Sequence, residues 1–120
     1  MEKIQGWHRL QQFNDSWVKM ITPGTSGVYV IHEFNKPLYV GRSRDIRGRL
    51  LDHLAGRGNR YVAMAVRNNL YLIFTYLELW SEHQAEKALI EALGGPVLPG
   101  VGPSLLANLV SGSDPADRRL

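Results

Sequence analysis

The chain has 120 residues, the size of one ordinary domain, and its 44% hydrophobic content suffices to enclose a single core. It contains no cysteine, which excludes a disulfide framework and a cysteine-ligated zinc site and leaves burial as the main stabilising term. The net charge of +3 is mild but uneven: the window from Arg42 to Arg67 holds seven arginines against Asp45 and Asp52 and carries +5, leaving −2 elsewhere. Such a window is either a solvated basic face or a phosphate-binding surface.

The first ten residues lack the continuous apolar stretch of a secretory signal, and no later segment reaches the roughly 18 apolar residues of a membrane span. The expectation is a cytoplasmic protein with no membrane partner. Across residues 9–21, Leu10, Phe13, Trp17, Met20 and Ile21 recur at helical spacing, and Thr22-Pro23-Gly24-Thr25-Ser26 stops them. Residues 1–26 are therefore predicted to form an N-terminal helix and linker. Residues 27–33 and 37–41 are two β-rich runs joined by a short connection, an antiparallel hairpin. Asp45 is a natural cap for a helix over 46–55, whose Ile46, Leu50 and Leu54 share one face. Residues 59–68 predict a second short helix. Residues 70–80 are apolar on both faces, as in a central strand. Ser81 and Gln84 form a capping box for a helix to about residue 93, which Gly94-Gly95-Pro96 ends.

A core over 27–95 is thus followed by a Gly/Pro-rich connector and closing segment over 96–112, and by a polar tail over 113–120. The order of elements gives an α+β domain on a three-stranded, mainly antiparallel sheet flanked by helices.

Two tyrosine triplets stand in the hairpin, Gly27-Val28-Tyr29 and Tyr39-Val40-Gly41, with their tyrosines ten residues apart. Each alone is ordinary strand composition. Arg42-Ser43-Arg44-Asp45-Ile46-Arg47-Gly48-Arg49 follows, and His53 lies one helical turn beyond Arg49. Both flank the Ile46/Leu50/Leu54 stripe at the boundary of core and solvent, as the wall of a cleft or as side chains that only border the core. Glu86 falls on the side of its helix that carries Leu89, Ile90 and Leu93, away from Gln84, Lys87 and Glu91. A desolvated carboxylate there needs compensation, by a divalent metal, a partner arginine or a helix end turned to water. Glu82, one turn earlier, is a second metal candidate, or an acid placed by the helix dipole. His8, His32 and His83 have no ligand spacing. Trp7, Trp17 and Trp80 suit core or docking contacts, with base stacking as the minority alternative.

In this order the residues resemble the GIY-YIG nuclease superfamily. Gly27-Val28-Tyr29 and Tyr39-Val40-Gly41 match its two triplets, and Arg49 stands eight residues after Gly41, where members carry a helical arginine. His53 and the segment Glu86-Lys87-Ala88-Leu89-Ile90 match the histidine or tyrosine one turn on and the later glutamate. The resemblance spans residues 27–90, and Asn108 is the candidate for an asparagine that closes the site in many members. It implies hydrolysis of a nucleic-acid phosphodiester, DNA rather than RNA, with one Mg²⁺ or Mn²⁺, leaving a 5′-phosphate and a 3′-hydroxyl. Glu86 would hold the metal, and Arg49, with Arg42 as a second candidate, would stabilise the phosphorane-like charge. Tyr29 would act as general base and Tyr39 and His53 would orient water and phosphate, although Tyr29 and His53 exchanging roles is equally open. Arg42, Arg44, Arg47, Arg57, Arg60 and Asn108 would contact the nucleic acid. The alternatives are a non-catalytic nucleic-acid-binding module on the same fold and a small protein-interaction domain.

Overall fold

The computed structural model describes residues 3–93 apart from 5, 35, 69 and 70. The sheet is built around the hairpin of β4 (Gly27–Glu33) and β5 (Lys36–Ser43), preceded in the chain by the short strands β1 (Lys3–Ile4), β2 (Trp7–His8) and β3 (Gln11–Gln12). With β6 (Leu72–Glu78) they form a small β1-β2 ribbon and a four-stranded sheet of order β3-β6-β4-β5, in which every pairing is antiparallel. The helices are α1 (Asp15–Val18), α2 (Ile46–Leu54), α3 (Arg60–Arg67) and α4 (Glu82–Leu93). The architecture is α+β and the hairpin, both middle helices and the last helix fall where the sequence predicts them. None of the described helices is long and apolar enough to cross a membrane.

The sheet and the N-terminal segment differ from expectation. The sheet has four strands rather than three, because Gln11 and Gln12 pair with Phe74 and Ile73 along the free edge of β6. That pairing shortens the helix expected over 9–21 to the four residues of α1. Asn14 caps it by accepting from the Trp17 amide at 3.0 Å, so Trp17 and Met20 end up exposed while Phe13, Val18 and Ile21 are buried. Backbone hydrogen bonding to an open sheet edge outweighs helical spacing over so short a segment.

Strand alternation divides the core into two layers. On one face Tyr29, Ile31, Tyr39, Phe74 and Tyr76 pack with Ile46 and Leu50 of α2 and Val62 of α3. On the other, Val28, Val30 and Val40 meet Ala85, Ala88, Leu89 and Ala92 of α4. Ile46 and Leu50 are fully buried, and each such side chain stabilises the fold by about 1.5–3 kcal/mol. The four residues of α4 recur at i, i+3, i+4 and i+7, and its alanines let the helix lie close to the valines.

The helix starts are individually held. Asn59 accepts from the Tyr61 and Val62 amides at 2.8 and 3.2 Å, and Ser81 accepts from the Gln84 amide at 3.3 Å. Asp45 differs from its expected role: it makes no cap bond to α2 and instead accepts from the Gly24 amide at 3.0 Å, while the Ile46 amide donates to the Thr25 carbonyl at 2.9 Å. These bonds tie the loop before β4 to the start of α2 and thereby fix α2 over the tyrosine face.

Candidate active site

Tyr29 and Gly41 are direct cross-strand partners in the hairpin. The Tyr29 ring lies across Gly41 so closely that a Cβ at Gly41 would overlap the hydroxyl and come within 2.8 Å of Cε2. The glycine of the second triplet is thus explained by the tyrosine of the first. The hydroxyl continues to His53 on α2, where its oxygen is 2.6 Å from Nε2. Tyr39 joins them, its ring centroid 5.1 Å from that of His53 and 6.4 Å from that of Tyr29. Gly58 abuts His53 from the far side; a Cβ there would overlap Nδ1. All three rings are fully buried, so His53 lies deeper than the boundary position its helical wheel predicts.

Arg49 sits one turn before His53 with only 10% of its side chain exposed, 3.7 Å from Asp52 Oδ2. Asp52 also pairs with Arg57 at 2.8 Å. Sequence reasoning passed over Asp52, although its i,i+3 spacing from Arg49 on a helix was a signal.

Glu86 departs from its expected burial. It is 51% exposed on the flank of α4, and Ile90, expected on the buried face, is 60% exposed. The compensation is the partner arginine among the alternatives above: Arg42 Nη1 lies 2.8 Å from Glu86 Oε2. By alternation along β5, Tyr39 and Gly41 face α2 while Val40 and Arg42 face α4. The structure therefore brings the candidates together as two groups, Tyr29, Tyr39 and His53 on the α2 face and Arg42 with Glu86 on the α4 face. From Tyr39 to Arg42 is three strand residues, about 10 Å.

Arg44, Arg57 and Arg60 are exposed and Arg47 is half-buried; Arg60 also stacks on Tyr61, 5.0 Å from the ring centroid. Arg44 lines a cleft with Ser26, Trp80 and Glu82. Asn108 lies outside the described residues.

The sequence from residue 25 to residue 95 matches the model of the GIY-YIG catalytic domain. That span is more than half of the chain, and the chain belongs to the GIY-YIG family, whose function is of the nuclease type. In fold it is similar to the GIY-YIG N-terminal endonuclease domain of UvrC from Thermotoga maritima, solved with magnesium and as a point mutant bound to its catalytic divalent cation. Each comparison gives a TM-score of 0.50 and 16% identity over 67% of this chain and 86% of that one. No curated protein matches the sequence.

Proposed function

We propose that the chain is a metal-dependent endonuclease that hydrolyses phosphodiester bonds in DNA, leaving a 5′-phosphate and a 3′-hydroxyl. The observation that carries this reading is the ion pair between Arg42, largely buried directly after the second tyrosine triplet on β5, and the half-exposed Glu86. A phosphate arriving there can take over the arginine, since a guanidinium binds phosphate as it binds carboxylate. The freed carboxylate then suits a cation.

The donor set fits magnesium or manganese. Among the described residues no three acids or histidines cluster as ligands, and Mg²⁺ is the ion that keeps most of its waters and needs only one or two carboxylates. Glu86 would hold it. When bound, such an ion neutralises charge on phosphate and leaving oxygens.

The chain's own residues supply the rest. Arg42 and Arg49 stabilise the added negative charge on the phosphate in the transition state. Tyr29 takes the proton of the attacking water as its own hydroxyl proton passes to His53 Nε2, 2.6 Å away, so that the two candidate bases act in series. Tyr39 holds His53 in orientation.

The test is a cleavage panel of single-stranded, duplex and branched DNA with Mg²⁺ or Mn²⁺, run with Glu86→Gln and Arg49→Ala. Glu86→Gln is expected to abolish cutting and leave DNA binding intact. Arg49→Ala should slow cutting by about 10²–10³-fold. Binding that needs no cation, together with no cleavage of any substrate by the wild-type chain, would replace this reading with that of a non-catalytic nucleic-acid-binding module.

A further inference from the structure

Trp80 stands apart from the other aromatic residues near the site. It lies between β6 and α4, is 67% exposed, and donates from Nε1 to the Glu78 carboxylate at 3.2 Å. Its segment is anchored to the start of β4 by the Leu79 amide, which donates to the Ser26 carbonyl at 2.9 Å. The ring is a wall of a cleft of about 340 Å³ that it shares with Ser26, Arg44 and Glu82. That volume is within the range of small-ligand sites, about 300–1,000 Å³. The cleft also adjoins the candidate active site from both sides: Arg44 follows Arg42 by two residues, and Glu82 is one helical turn before Glu86, about 6 Å along α4.

We propose that this cleft is a nucleobase subsite, in which one unstacked base adjoining the cut phosphate stacks on Trp80 and presents an amino-bearing edge to Glu82. The proposal rests on the nuclease reading and names what its substrate must offer, an unpaired base beside the scissile bond. A carboxylate in the cleft repels phosphate and accepts from the exocyclic amines of cytosine, adenine or guanine, which thymine lacks. Arg44 is exposed at the rim, where it holds the backbone of the same nucleotide.

The test is binding of short single-stranded DNA of one base type to the full chain in EDTA, read by tryptophan fluorescence and by anisotropy of an end label. Stacking should quench the emission. Trp80→Ala should lose that quenching and weaken binding by roughly 5- to 100-fold, with Trp80→Phe restoring most of the affinity. On an abasic strand Trp80→Ala and wild type should bind alike. Oligo-dC and oligo-dA should bind more tightly than oligo-dT, and Glu82→Gln should narrow that gap. Equal binding by Trp80→Ala and wild type, or the same loss on an abasic strand, overturns the subsite. Cleavage with Mg²⁺ is scored separately, so that cutting without a Trp80-dependent base effect removes only the subsite, whereas Trp80-dependent stacking without cutting removes only the nuclease reading.

Discussion

Tyr29 and His53 meet at 2.6 Å with both side chains sealed from solvent, Tyr29 packed across Gly41 and His53 against Gly58. Tyr29→Phe keeps the ring and removes only the hydroxyl, leaving a buried imidazole nitrogen without its partner. The expected loss is about 1–2 kcal/mol in urea unfolding. If Tyr29 is the base, cleavage should fall by about 10²–10⁴-fold, far more than that stability change explains, and an unchanged cleavage rate takes Tyr29 out of the chemistry. His32 is buried in β4 with no hydrogen bond to either ring nitrogen, and burial lowers its pKa from 6.5 to about 4. Between those values the unfolded chain holds a proton that the folded chain does not, so stability is fully present above pH 6.5 and declines as pH falls toward about 4. The loss across that window is on the order of 3 kcal/mol. His32→Leu should remove it, so urea midpoints of wild type and variant should diverge steadily from pH 7 downward, in the variant's favour; parallel curves would mean that His32 does not titrate this way.

At the scale of elements, β5 does two things with alternate residues. Toward α2 it offers Tyr39 and the bare backbone of Gly41, and toward α4 it offers Val40 and Arg42. Gly41→Ala forces its methyl into the Tyr29 ring, which is pinned between β5 and His53 and has no space to yield. An overpacking cost of about 1–3 kcal/mol is expected, with loss of the Tyr29–His53 geometry, read from thermal melts and from the chemical shifts of the His53 ring. A melt identical to wild type would show that the ring moves freely. The N-terminal strands have a different task. By pairing with β6, β3 covers an edge that would otherwise offer unpaired amides and carbonyls to another chain.

At the scale of the molecule, the arginines between positions 42 and 67 lie on β5, α2 and α3 and on the loops joining them. Asp52 neutralises part of this charge by holding Arg49 and Arg57. If the chain acts on DNA as proposed, its affinity should fall linearly on a log–log plot against salt, and Arg47→Gln should reduce the slope by about 1 with little dependence on base sequence. A slope unchanged by the substitution would place Arg47 off the DNA path.

The hairpin, α2, α3, the central strand and α4 were legible from residue order, because periodicity, caps and the two triplets are local signals. The family was legible too, since Tyr29, Tyr39, Arg49, His53 and Glu86 follow one another at characteristic spacings. Residues 9–21 misled because their fate was set by the open edge of β6, some sixty residues away in the chain. Glu86 was placed on the buried side of α4 because a helical wheel treats its flank as core, whereas four small or apolar residues took that contact and left Glu86 half in water beside Arg42. Spacing along the chain decides which side chains share a face; which face is covered, how deeply, and by which distant partner is decided only when the layers pack.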